Sequence, residues 1–297
     1  MVASLEALLD GVIDYAGLFP PAGLSMLPAL QEYLAHLEDD EQLLVNRFVC
    51  PTARLAELVE TMKLINADFE FGVTAIGSGG GDVDTFAACC RADADAIKVF
   101  EDTCQARSWV EAYETKIPNA PLSSILKALR PIDQAEWFLE VPLNEKLSDV
   151  LSEIAVSEAA SAKARTGGLE KAAFPSAAAL AGFIKECMDL NLPFKLTAGL
   201  HHPIPCDDAE TGGAMHGFLN VTTAAALIED MDLNRAEVER LLLDRDPRNF
   251  SFDDDGIEWR GQTASLDSIG QARMLFAGFG SCSVAEPVED LRHLGLW

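Results

Sequence analysis

A chain of 297 residues that is 49% hydrophobic is ample for a large core, arranged as two medium domains or as one barrel with additions. Its 48 acidic residues against 22 basic ones give a formal charge of -26, which leaves no basic stripe to neutralise phosphates and excludes nucleic acid as a partner. No apolar run reaches the length of a membrane span, so no membrane partner is expected either.

The acidic balance is read as a solvated, self-repelling surface, with a salt-adapted host as the alternative. The seven cysteines, at positions 50, 89, 90, 104, 187, 206 and 282, follow neither metal-ligand nor disulfide-framework spacing and point to a reducing compartment. The opening residues Met1 to Glu6 carry no basic n-region, so no signal peptide is read and the cytoplasm is the expected location.

In chain order, Gly11 to Gly17 reads as a short first strand ending at the Pro20-Pro21 loop. A helix is expected over Met26 to Leu37, a strand over Leu43 to Cys50, a helix over Ala53 to Ile65, and a third strand over Phe69 to Ile76. The run Gly77 to Gly81 lacks both the Walker lysine-serine ending and dinucleotide spacing, and reads as a flexible turn before a helix over Asp82 to Ala92, with Asp82 or Asp84 near its cap. Ala96 to Glu101 is read as strand four, Ser108 to Leu129 as a helical region interrupted near Pro118 and Pro121, Trp137 to Pro142 as strand five, and Leu147 to Ala160 as its helix.

Strands six and seven are Ala162 to Gly168 and Pro193 to His202, with an amphipathic helix over Ser176 to Leu190 between them. His216 to Val221 is read as the eighth strand, followed by a short helix, Thr223 to Glu229. These alternations predict an α/β fold, a (β/α)8 TIM barrel over residues 1–232, with a doubly wound open sheet as the alternative. Residues 233–297 are read as a C-terminal addition packed on the barrel. It comprises a helix over Arg235 to Leu243, a β-hairpin turning at Asp255-Gly256, and a helix over Leu266 to Phe276. The segment Gly278 to Pro287 is left open between a cap on the barrel mouth and a connector.

Strands six and seven carry the chemistry. A right-handed crossover brings their matching ends together, and side-chain alternation puts Lys163 with Arg165 and Lys195 with Thr197. A buried lysine pays a desolvation cost that lowers its pKa. That is the state a Schiff-base nucleophile needs, and a second ammonium nearby lowers it further. The structural alternative pairs each lysine with a carboxylate such as Glu140 or Glu101.

Lys163-Ala164-Arg165-Thr166-Gly167, answered 32 residues on by Lys195-Leu196-Thr197-Ala198-Gly199, resembles the two lysine motifs of the Schiff-base aldolases of the deoxyribose-phosphate aldolase type. The resemblance covers about forty residues. It implies that Lys163 forms an imine with a carbonyl substrate, that Lys195 lowers its pKa, and that Thr166, Thr197 and Gly199 lie against the substrate. The family also carries a strand-four aspartate; in the strand four read here, Glu101 is the acid available.

Around this pair, Glu140 and His201 are the candidate proton carriers. Arg165 is a candidate holder of an acidic group, or an ion-pair partner of Glu140. Asn220 would orient a substrate oxygen or serve a turn. Tyr15 with Asp14 is a further proton-transfer candidate, and Cys282 a nucleophile without an activating neighbour.

The reading is a carbon-carbon lyase acting on a small carbonyl compound that bears an acidic group. It needs no cofactor and has a small molecule as its partner, homo-oligomerisation being left open. One alternative is a metal-dependent hydrolase, isomerase or lyase holding a divalent metal ion on His201 or His202, His216 and Glu140. Another is a non-catalytic barrel that binds a sugar or an acid.

Overall fold

A computed structural model describes residues 1–65, 69–105 and 107–297. After helix α1 (Ala3–Leu9), the chain alternates strands and helices: β1 (Ile13–Tyr15), α2 (Met26–Glu38), β2 (Val45–Pro51), α3 (Leu55–Leu64), β3 (Phe71–Ile76), α4 (Val83–Cys104), β4 (Ser108–Lys116), α5 (Leu122–Leu129), β5 (Glu136–Glu140), α6 (Leu147–Ser157), β6 (Ser161–Arg165), α7 (Ala177–Asp189) and β7 (Phe194–Thr197). A two-stranded flap, β8 (Cys206–Asp207) with β9 (Ala214–Met215), precedes helices α8 (Phe218–Met231) and α9 (Arg235–Leu242). An antiparallel sheet follows, β10 (Phe250–Phe252), β11 (Gly256–Trp259) and β12 (Gln262–Ser265), then α10 (Leu266–Leu275), β13 (Phe276–Ser281) and α11 (Ala285–His293).

Strands β1 to β7 and β13 form a closed parallel barrel in which β13 lies between β7 and β1. The fold is the (β/α)8 barrel that the alternation predicts. Its closing strand is not His216–Val221, because every residue from Phe218 to Ile228 is buried in α8. A short apolar run does not distinguish a central strand from a helix buried all round. The barrel is completed beyond residue 232, after the small β10–β12 sheet. Gly278, at φ +121°, makes the closure sterically possible, since a Cβ there would sit 2.4 Å from the Val12 carbonyl oxygen.

Strand four also lies elsewhere. Ala96 to Glu101 belongs to α4, whose buried residues Phe86, Cys90, Asp93, Ile97, Phe100 and Cys104 keep helical spacing throughout. The carboxylate of Asp82 caps that helix by accepting from the Thr85 backbone N–H. The first part of the expected Ser108–Leu129 helix is β4, and only Leu122–Leu129 is helical. Ser176 caps α7 in the same manner as Asp82, and Asn234 with Glu237 forms a capping box on α9. Among the described residues no helix is long and apolar enough to cross a membrane.

Candidate active site

The barrel interior holds a chain of charges where a barrel of this kind is ordinarily filled with branched apolar side chains. Lys163 and Lys195 are register partners on β6 and β7, so their amines enter the barrel side by side. Glu114 on β4 joins them: one of its oxygens accepts from Lys163 at 2.7 Å and the other meets Lys195 at 2.5 Å. Lys163 also pairs with Glu140, at the end of β5, at 3.0 Å. Lys195 donates to Asp14 on β1, and Asp14 accepts in addition from the Thr74 hydroxyl at 2.5 Å and the Arg47 N–H at 3.3 Å. The Lys195 amine stands 5.6 Å from the centre of the Phe138 ring.

Burial alone would raise the pKa of Glu114, but the Lys163 and Lys195 ammonium groups outweigh it and hold the carboxyl down at about 2. Burial alone would lower Lys195, yet Asp14 and Glu114 overcome it and push this amine up. The lowered pKa expected of a buried lysine therefore does not describe Lys195. It is a locked ammonium, because its two carboxylate neighbours stabilise the charged form more than desolvation penalises it.

Above the cluster, at the C-terminal ends of the strands, opens a cavity of about 1480 Å³. Lys163, Glu114 and Glu140 line it, whereas Lys195, fully buried, does not. Lys163 is thus the amine that a bound molecule meets, and Lys195 lies behind it. Arg165, Thr197, Gly199 and His201 also border the cavity. Arg165 is half exposed, donates to the Gly167 carbonyl at 3.3 Å, and lies 3.9 Å from Glu140. Gly199, at φ +72°, packs so closely on Thr166 and Gly167 that a Cβ would come within 2.7 Å of the Thr166 carbonyl oxygen.

Thr166 itself is buried and spends its hydroxyl on the backbone carbonyls of Thr197 and Ala198, tying the ends of β6 and β7 together. It braces the site rather than facing the cavity. His201 lies 3.1 Å from Glu286, and His202 is held by Asp290 at 2.6 Å, both acids belonging to α11.

His216 is turned away, its Nε2 against the Pro175 carbonyl at 2.9 Å, and burial pushes its pKa down. Asn220 sits in α8 and donates to the carbonyls of Leu241 and Asp244, so it orients a chain turn and no substrate. His202, His216 and Glu140 are engaged with separate partners and do not converge. Among the described residues no three His, Cys, Asp or Glu side chains are arranged to hold a metal ion.

Sequence reasoning missed Glu114, and offered Asp14 as a proton-transfer partner of Tyr15 or a carboxylate beside the histidines, not as a partner of Lys195. Tyr15 points the other way, stacking on Tyr33 of α2. The signal for Glu114 was present in the β-rich run Ser108-Trp109-Val110-Glu111-Ala112-Tyr113 just ahead of it.

The (β/α)8 barrel is shared by many enzymes of unrelated chemistry, so the fold does not select a reaction. No family model matches the chain, and no curated protein is significantly similar to it. Among solved structures, the catalytic domain of a hyperthermophilic chitinase from Pyrococcus furiosus aligns at 10% identity and a TM-score of 0.35, over 63% of this chain and 72% of that one. A likeness at that level carries no argument for the activity.

Proposed function

We propose that the protein is a class I, Schiff-base lyase of aldolase type, acting on a small carbonyl compound that bears an acidic group. The observation that carries this reading is the position of Lys163. It is a buried amine bordering the cavity, with Glu114 at 2.7 Å to position it and Glu140 at 3.0 Å to take its proton. The motif resemblance at Lys163 and Lys195 supports the same assignment.

Glu140 accepts a proton from Lys163, and the neutral amine adds to the substrate carbonyl carbon. The carbinolamine oxygen then leaves as water, taking its proton from the same carboxyl group, and an iminium remains. That cation draws in the electron pair of the neighbouring carbon-carbon bond as it breaks, while Glu140 or His201 takes the proton of the departing alcohol and an aldehyde is released. Protonation of the enamine on carbon, followed by hydrolysis, restores the amine.

Lys195 remains an ammonium throughout and is tied to Glu114, the same carboxylate that Lys163 meets. Arg165 offers a planar fork to the acidic group of the substrate. Borohydride reduction in the presence of pyruvate, followed by peptide mass spectrometry, tests the assignment: one adduct is expected, on Lys163, and none in Lys163→Ala. A Lys163→Ala protein that still traps pyruvate removes the assignment.

A further inference from the structure

The cavity is large for a small acid. At about 1480 Å³ it exceeds the 300–1,000 Å³ typical of a pocket for a drug-sized ligand, so a substrate of three to five carbons leaves most of it to water. Its walls divide along the barrel. The loops and strand ends of β1 to β4, four neighbours in the sheet, contribute Phe19, Pro21, Val49, Ile76, Ile117 and Pro118. The charged groups on that side are Glu114 at the floor and Lys116, exposed at the rim.

The other half, β5 to β7 and β13, contributes Arg165 and Lys171 together with the acids Glu140 and Glu170, and His201 with Glu286 beside it. Beyond them the β8–β9 flap brings Asp207, bound to Arg245, and Asp208, bound to Thr211. The carboxylates of the flap, with Glu140, Glu170 and Glu286, oppose a second anionic group, so this half suits one acid, at the half-exposed Arg165. Lys163 stands on the floor where the halves meet.

We infer that the site takes a two-armed carbonyl compound: an acidic arm held by Arg165 on the β6 side, and a bulky uncharged apolar arm lying on the wall formed by Phe19, Val49, Ile76 and Ile117. The inference rests on the imine-lyase reading and adds the identity of the second fragment, an aromatic or branched aliphatic aldehyde rather than a polyhydroxylated or phosphorylated one. Covering a phenyl group with that wall removes several carbons from water, and each methylene equivalent is worth about fourfold in binding.

The test compares cleavage of 4-hydroxy-2-oxo-4-phenylbutanoate and 4-hydroxy-2-oxopentanoate by the intact protein, following pyruvate release. The expected result is a kcat/KM at least about tenfold higher for the phenyl compound, and a ratio narrowed severalfold in a Phe19→Ser, Ile117→Ser double variant. Equal kcat/KM values, or a preference for the methyl compound, overturn the inference and leave the imine reading intact. If neither compound is cleaved and pyruvate is not trapped by borohydride, the imine reading fails. The apolar arm is then read by calorimetry of phenylpyruvate against pyruvate, where at least about tenfold tighter binding of phenylpyruvate supports it and equal affinity overturns it.

Discussion

Two clusters of paired charges flank one cavity, one beneath its floor and one at its rim, and they differ in where the water is. Inside the barrel, the side chains of Asp14, Glu114 and Lys195 are at most 3% exposed, so each charge depends on its protein partners. At the rim, His202 and Asp290 are 27% and 34% exposed, and solvent shares the work. The chemistry of the pairing is alike; the dielectric is not. The inner cluster therefore sets protonation states firmly and at structural risk, whereas the rim pairs are adjustable and of small energetic weight.

The sharpest way to break the contrast is Glu114→Gln, which removes the carboxylate shared by two buried ammonium groups. A loss of about 3–5 kcal/mol is expected in urea unfolding, because what remains is uncompensated buried charge. Acid acts on the same group. With its folded pKa held below the usual carboxylate range, at about 2, Glu114 contributes stability that is full above its unfolded pKa and is lost as pH falls through the folded one. Unfolding free energy should decline below pH 4.5, and this part of the decline should vanish in Glu114→Gln.

Asn220→Ala comes next. Two backbone carbonyls lose their donor, at a cost of about 1–3 kcal/mol, while borohydride adduct formation at Lys163 is unchanged, as suits a residue outside the cavity. The smallest effect belongs to the rim. The Cys206 sulfur, opposed by partial burial and assisted by Asp290, pushes His202 up to about 9. Its raised pKa gives a contribution fully present below the unfolded value near 6.5 and lost as pH rises through about 9. His202→Gln should lower the melting temperature slightly at pH 6, by a loss of about 1 kcal/mol or less, and not at pH 10.

What the sequence disclosed and what it concealed follow from the same physics. Lys163 and Lys195 were legible because both lie in short runs with strand periodicity on either side of one helix, and a parallel crossover leaves their relation little freedom. Glu114 was concealed first by the helical reading of Ser108 to Leu129 and then by an irregularity in the strand that forms there. Between Val73 and Thr74 the pairing of β3 with β4 shifts register, so Glu111, which bonds to Arg47, and Glu114 both reach inward although they are three residues apart. A strict alternation of period two assigns them to opposite faces. His216 and Asn220 were drawn to the site by reading His216 to Val221 as a strand, when burial continues without a break from Phe218 to Ile228, a length that suits a helix. The glycines of β13 left that segment open between a cap and a connector, and their purpose appears only when Val12 is seen pressing against Gly278.

That last strand governs when the molecule becomes itself. Asp14, which locks Lys195, lies on β1 in register with Gly280, so a residue of the first barrel strand takes its wall from the last barrel strand to be made. Until Phe276–Ser281 emerges, β1 and β7 present unpaired edges and the charges between them stand in water. Contacts that join such distant parts of a chain form slowly. A nascent fragment can thus carry every lysine of the site and still hold none of its field.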